Sequence, residues 1–178
     1  ERAGRTQEAI AVAEERVSLA HSGVGTDAPL AWDIEAEVAG LLGRLGYSAR
    51  ALDLHQQLID RVRGARGPDH PQTIRFESWA QSTALAERGP RAVIPAIEEL
   101  ASRARRALPP EHPDRLGVLQ QLGFAYWRAD RNDEAELLLE EVLAARRHHQ
   151  PFDLQAQTDT LLHLAECFGR DLPGFECH

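Results

Sequence analysis

The chain has 178 residues, 43% of them hydrophobic and 27% charged, which is the balance of a water-soluble globular protein. Its net charge is −8 and all 20 of its cations are arginine, which argues against a surface that tracks nucleic-acid phosphates. No apolar run reaches the roughly 18 residues of a membrane helix, and two cysteines, Cys167 and Cys177, are too few for a disulfide framework, so free thiols and a cytoplasmic location are expected.

The first element read along the chain is a helix over about 5–21. Its opening, Gly4-Arg5-Thr6-Gln7-Glu8-Ala9-Ile10, matches Gly46-Tyr47-Ser48-Ala49-Arg50-Ala51-Leu52 further on. A short phrase then recurs: Gly25-Thr26-Asp27-Ala28-Pro29, Gly67-Pro68-Asp69-His70-Pro71, Pro109-Pro110-Glu111-His112-Pro113 and a decayed Pro151-Phe152-Asp153. The copies start at 25, 67, 109 and 151, each 42 residues after the last. A fixed period of about 20–50 residues is the signature of stacked supersecondary units. Each interval holds two helical patterns, near 28–45 and 48–65, 71–88 and 91–107, and 113–129 and 133–149, with a last helix near 153–168. The expected fold is all-α, a solenoid of about eight antiparallel helices forming one array over 1–178. It divides into 1–24 (the second helix of a truncated unit), full units 25–66, 67–108 and 109–150, and 151–178 (a further first helix and tail). The chain opens at Glu1 without Met, so it is expected to belong to something longer.

The unit 109–150 carries the pattern best. Leu116, Leu119, Leu122 and Tyr126 make one apolar stripe, and Asp130-Arg131-Asn132 breaks it. Asp133 and Glu134 open the next helix, and Arg146, Arg147 and His148 close it, each charge at the end of the dipole that favours it. Small residues recur at one register, where Leu122-Gly123 falls on Val38-Ala39, Ala80-Gln81 and Leu164-Ala165. Pro71 and Pro113 suit the first helical position, and Asp69 or Glu111 is expected to meet the free N–H groups there. His70 and His112 read as repeat punctuation. Pro95 falls inside a helical pattern, which predicts a late start for that helix, near Ile94.

Catalytic patterns are missing from the sequence: it has no Gly-x-Ser-x-Gly, phosphate loop, His-Glu-x-x-His or Cys-x-x-Cys. The acid pairs Glu14-Glu15, Glu98-Glu99 and Glu140-Glu141 recur at the repeat's spacing and read as solvated faces. His163, Cys167, Cys177 and His178 could in principle make a tetrahedral zinc site, against the plainer reading of coincidence near the end of the chain. No metal, no cofactor and no enzymatic activity are expected.

Leu122-Gly123-x-x-Tyr126, followed by Asn132-Asp133-Glu134-Ala135, resembles the tetratricopeptide repeat. The 42-residue length and the Gly67-Pro68-Asp69-His70-Pro71 loop are similar to the longer variety found in kinesin light chains and many bacterial regulators. The resemblance covers essentially the whole chain. Unit 67–108 is its weakest part, with Ala80, Gln81, Ala84 and Val93 at usual signature positions.

The resemblance implies a right-handed superhelix whose first helices line a concave groove. Its inward positions are Asp33, Ala36, Gly40 and Arg44, then Arg75, Ser78, Ser82 and Leu85. They continue with Gln120, Phe124, Trp127 and Arg128, then Asp159, Leu162, Glu166 and Arg170. Trp127 beside Phe124 and Arg128 would be an aromatic anchor, or else would pack on the next unit; Trp32 and Trp79 are expected in the core. The paired Asn of the family is replaced by Ala36-Glu37, Ser78-Trp79, Gln120-Gln121 and Leu162-His163, which weakens a backbone-clamping mode. The implied function is a protein-interaction module that binds a peptide or protein segment, from a partner or from the same polypeptide, within a larger bacterial signalling or transcriptional regulator. Alternatives are a sensor for a small ligand or signalling peptide, and a structural subunit or accessory domain of an enzyme. Nucleic acid binding would rest only on Arg103, Arg105 and Arg106.

Overall fold

The computed structural model describes residues 2–149 and 154–169, with side chains described for 10–148, 155 and 157–165. The described residues form eight α-helices: α1 (Arg2–Val24), α2 (Pro29–Arg44), α3 (Ser48–Arg66), α4 (Pro71–Arg88), α5 (Pro90–Ala107), α6 (Pro113–Arg128), α7 (Asn132–His149) and α8 (Leu154–Gly169). All lie within a few residues of the helices expected from the 42-residue period. They group into two compact units, Glu1–Glu87 and Arg88–His178.

In the first unit α2 packs on both α1 and α3. Ile10, Ala13, Val38, Leu42 and Ala51 tie α1, α2 and α3 together. A second cluster, Trp32, Ala36, Leu58, Ile59, Val62 and Phe76, ties α2 and α3 to α4. Full burial of a Leu, Ile or Phe side chain contributes about 1.5–3 kcal/mol, so these clusters dominate the unit's stability. Trp32 is buried, as expected, with the Arg66 guanidinium 5.5 Å from its ring centre. Polar links cross between the helices: Glu35 on α2 is gripped by Arg61 of α3 and lies 2.6 Å from His21 of α1, and Arg63 donates to Glu77 at 2.7 Å. Burial of Glu77 supports that bond, which raises the Arg63 pKa further above its ordinary value. Gly46 turns the chain between α2 and α3 at φ 88°, a conformation that costs a side-chain-bearing residue far more.

One side chain in this unit is buried at a cost. His55 is 1% exposed, and neither ring nitrogen has a hydrogen-bond partner among the described residues. Burial pushes its pKa down to about 4. Its register places are Ala13, Ile97 and Leu139 in the other second helices, all buried and apolar.

The entries to α4 and α6 differ from expectation in the capping residue. The Gln72 N–H donates to His70 Nδ1, and the Asp114 N–H donates to His112 Nδ1, each at 3.2 Å. The imidazoles therefore do the capping that Asp69 and Glu111 were expected to do. A histidine at the N-cap itself projects its Nδ1 toward the second helical N–H, where the preceding residue lies one position too far back.

In the second unit α6 packs on α5 and α7, and α7 packs on α8. Helix α5 starts at Pro90, not near Ile94, and Pro95 lies inside it. Gly89 at φ 79° and Pro90 at the first helical position launch the helix early. A full buried stripe of Val93, Ile94, Ile97, Leu100, Ala101 and Ala104 then holds it. Pro95 sits on the exposed face, so the backbone carbonyl that its missing N–H frees, that of Arg91, is on the wet side.

Helices α6 and α7 approach closely at Gly123, where a Cβ would meet Leu139 Cγ at 2.8 Å. Ala135, Leu139, Leu143 and Leu164 form the core between α7 and α8. The buried Arg146 guanidinium donates to the Thr160 hydroxyl at 2.6 Å across the same seam. The Tyr126 hydroxyl donates to Glu98 of α5 at 2.8 Å, and burial together with that carboxylate pushes the phenol up to about 12. Arg131 stacks over the Tyr126 ring at 4.0 Å and bonds Glu134 at 2.5 and 2.6 Å. That pairing raises the Arg131 pKa and lowers that of Glu134. The α6–α7 turn contains the one described non-glycine residue at positive φ, Asp130 at 63°.

Candidate functional site

Helix α2 presents Glu37, Gly40, Leu41 and Arg44 on one face, by the i, i+3, i+4, i+7 rule. Helix α4 presents Trp79, Ser82, Thr83 and Ala86, each 42 residues later, on its corresponding face. These two faces and Val12, Ala13 and Arg16 of α1 enclose an open-sided cavity of about 820 Å³ within the first unit. Its depth comes from small residues: Gly40, Gly43, Ser82 and Ala86 stand where larger side chains would fill it. The walls are mostly apolar. Arg16 and Glu37 pair at 3.0 Å on the rim, while Arg44 makes no ion pair or hydrogen bond among the described residues. Trp79 is 38% exposed, its ring tilted against Phe76 at 5.7 Å.

The same register in the second unit is filled. Phe124 stands where Gly40 and Ser82 stand, and Trp127 where Gly43 and Leu85 stand. Phe124 stacks on His163 of α8 at 4.7 Å and lies 5.4 Å from Trp127. Gln120 reaches the His163 ring at 3.4 Å, and the Arg128 guanidinium lies 6.0 Å from the Phe124 centroid. Trp127 is half-buried against the α7–α8 core.

Of the residues expected in the groove, the first unit's cavity takes Arg44 and the small Gly40 and Ser82. Asp33 is half-buried and accepts from Gln72 at 3.4 Å, and Arg75 is half-buried. Ser78 is 9% exposed, and Ala36 and Leu85 are buried as well, because these positions face the helix packing and not the cavity. The tryptophan beside Ser78 is the one turned outward, which corrects the expectation that Trp79 belongs to the core. In the second unit Gln120, Phe124, Trp127 and Arg128 do come together, with His163 among them. Asp159, half-buried, accepts from Gln155 on its own helix at 2.9 Å. Glu166, Arg170, Cys177, His178 and the side chain of Cys167 lie outside the described residues. Trp79, Glu37, Leu41 and Val12 were missed by sequence reasoning; the column Glu37, Trp79, Gln121, His163 at 42-residue steps was the signal that could have found Trp79.

A smaller cavity of about 510 Å³ lies between α5 and α6, beside Glu98, Ser102, Arg105, Arg106 and Tyr126. Its polar groups are engaged with one another: Arg106 with Ser102 at 2.7 Å, Arg105 with Glu141 at 2.7 Å, and Tyr126 with Glu98. Among the described residues no group of three or more His, Cys, Asp or Glu is placed to hold a metal ion, and no helix is long and apolar enough to cross a membrane.

Comparison with known proteins decides the family. The profile of the tetratricopeptide repeat matches residues 115–149. This is a tetratricopeptide-repeat protein. Among solved structures, the nearly identical TPR-like repeats assigned to a kinesin light chain of Podosopora anserina match at a TM-score of 0.65 and 20% identity, over 96% of this chain and 81% of that one. A single-substitution variant of that protein matches at 0.66 and 20% identity, over 96% and 80%. Identity at this level speaks for the shared fold: the all-α, tetratricopeptide-like solenoid expected from the 42-residue period. No curated protein matches the chain. Tetratricopeptide repeats serve in general as scaffolds for protein–protein interaction and typically not as enzymes.

Proposed function

We propose that this tetratricopeptide-repeat protein binds a peptide or protein segment through the cavity bounded by α1, α2 and α4. The observation that carries this is the contrast between the two units: the register positions that leave about 820 Å³ open in the first are plugged by Phe124 and Trp127 in the second. An apolar cavity with an exposed tryptophan and an arginine at its rim suits one bulky apolar side chain of a bound segment, with Trp79 and Arg44 as anchors. In this reading Phe124, Trp127, Gln120 and Arg128 stabilise the second unit, and Asp33, Arg75 and Asp159 flank the binding surface. The 42-residue repeat supports a place within a larger bacterial signalling or transcriptional regulator in the cytoplasm. The volume also lies in the range of about 300–1,000 Å³ typical of small-molecule sites, which favours a small-ligand or signalling-peptide sensor as the second reading.

The test is selection of a random displayed peptide library on the wild-type chain, followed by affinity measurement of the enriched peptides. Gly40→Phe and Trp79→Ala are expected to weaken them by about tenfold or more, and Phe124→Ala to leave them unchanged. Enriched peptides that bind Gly40→Phe as well as wild type would remove the cavity from consideration.

A further inference from the structure

Leu137, on α7, is the most exposed large apolar side chain among the described residues, at 73%. Packing does not ask for a leucine there. The same register place holds Ala11, Asp53 and Pro95 in the other second helices, and all three are exposed. Four acids surround it on its own helix face: Asp133 and Glu134 at i−4 and i−3, Glu140 and Glu141 at i+3 and i+4. Glu134 is held by Arg131 and Glu141 by Arg105, which leaves Asp133 and Glu140 as the charges flanking the leucine outside those pairs.

The cavity of the first unit has the opposite character. Val12, Leu41 and Trp79 supply an apolar receptacle. On its rim Arg16 neutralises Glu37 at 3.0 Å, so the remaining charge is that of Arg44. An apolar knob ringed by carboxylates thus has a counterpart in an apolar hole edged by a guanidinium.

We propose that the cavity between α1, α2 and α4 receives the Leu137 face of α7 from a second copy of this chain. This rests on the reading of that cavity as the docking site and names a second copy as its occupant. Knob and hole are different surfaces, so the contact is heterologous: each copy offers one of each, and association proceeds head to tail unless a ring closes.

The experiment is sedimentation equilibrium of the full chain over a wide concentration range. The average mass is expected to rise above the monomer's 19.8 kDa with concentration. Leu137→Glu and Gly40→Phe should each weaken association about tenfold or more, and Arg44→Glu should do so in a salt-dependent way. Gly40→Phe has room at its base, because a Cβ there has only Arg44 Nη1 within 4 Å, at 3.5 Å; circular dichroism checks that each variant keeps its helix content. Mixed together, Leu137→Glu and Gly40→Phe retain one intact hole and one intact knob, so they should form a pair that stops at two chains.

A wild-type chain that stays monomeric throughout, or association indifferent to both Leu137→Glu and Gly40→Phe, overturns the proposal. So does a mixture that fails to pair while wild type associates. If wild type stays monomeric while library peptides bind and Gly40→Phe loses them, self-docking fails and the peptide-binding reading stands. If association responds to Gly40→Phe while no peptide is enriched, self-docking stands without it.

Discussion

Phe124 lays its ring against the His163 imidazole, centroids 4.7 Å apart and planes 30° from parallel. The stack occupies the place that Gly40 leaves vacant two repeats earlier. One register position thus separates an open cavity from a packed one, with the helical framework on either side the same in kind.

Glycines at two register positions should respond in opposite ways to the same substitution. Gly40→Ala adds a methyl to an uncrowded helix face, and should stabilise the chain by about 0.5–1 kcal/mol through helix propensity. Gly123→Ala drives a Cβ to within 2.8 Å of Leu139 Cγ, and should destabilise it by about 1–3 kcal/mol through overpacking. Urea midpoints of the two variants, compared at constant slope, check both signs.

His55 should make stability depend on pH. Its imidazole takes up a proton at about pH 4 when folded, against 6.5 when free. Between those values the unfolded chain binds more protons, so stability falls as pH drops, by up to about 1.4 kcal/mol per unit. The contribution is complete above pH 6.5 and is lost as pH falls through 4. His55→Leu should remove this component and raise stability at neutral pH by about 1–3 kcal/mol, because two buried unpaired nitrogens disappear. Urea unfolding measured at a series of pH values reads both effects.

The two histidine caps should each be worth about 1 kcal/mol. His70→Ala and His112→Ala are expected to lower stability by that amount, and His112→Asn to restore most of it. Asp69→Ala and Glu111→Ala should cost less than half as much. Thermal unfolding of the single variants ranks them.

The helices were legible in the sequence because a repeat multiplies weak signals: Pro71 and Pro113, or Gly46 and Gly4, mark the same boundary more than once. What the period could not reveal was local competition. At Pro95 the buried stripe from Val93 to Ala104 outweighs one lost hydrogen bond, so the helix begins at Pro90. At the caps, aspartate and histidine are both plausible acceptors by type, and only backbone direction decides for histidine. The cavity was harder still. Arg44 and Gly40 were placed by register, but Ser78 and Trp79 are adjacent on one helix, and a rotation of 100° per residue sends one inward and the other out. Cavities are also defined by what is missing. Gly40 beside Phe124 in the same column was visible in the sequence, yet its meaning depends on neighbouring helices that no single helix's pattern describes.

Because receptivity rides on one column of side chains and leaves the scaffold untouched, it can migrate along the array through point changes alone. A glycine traded for an aromatic silences one station; the reverse trade awakens another. Duplication supplies spare stations, and drift at that column sets which of them stay vacant.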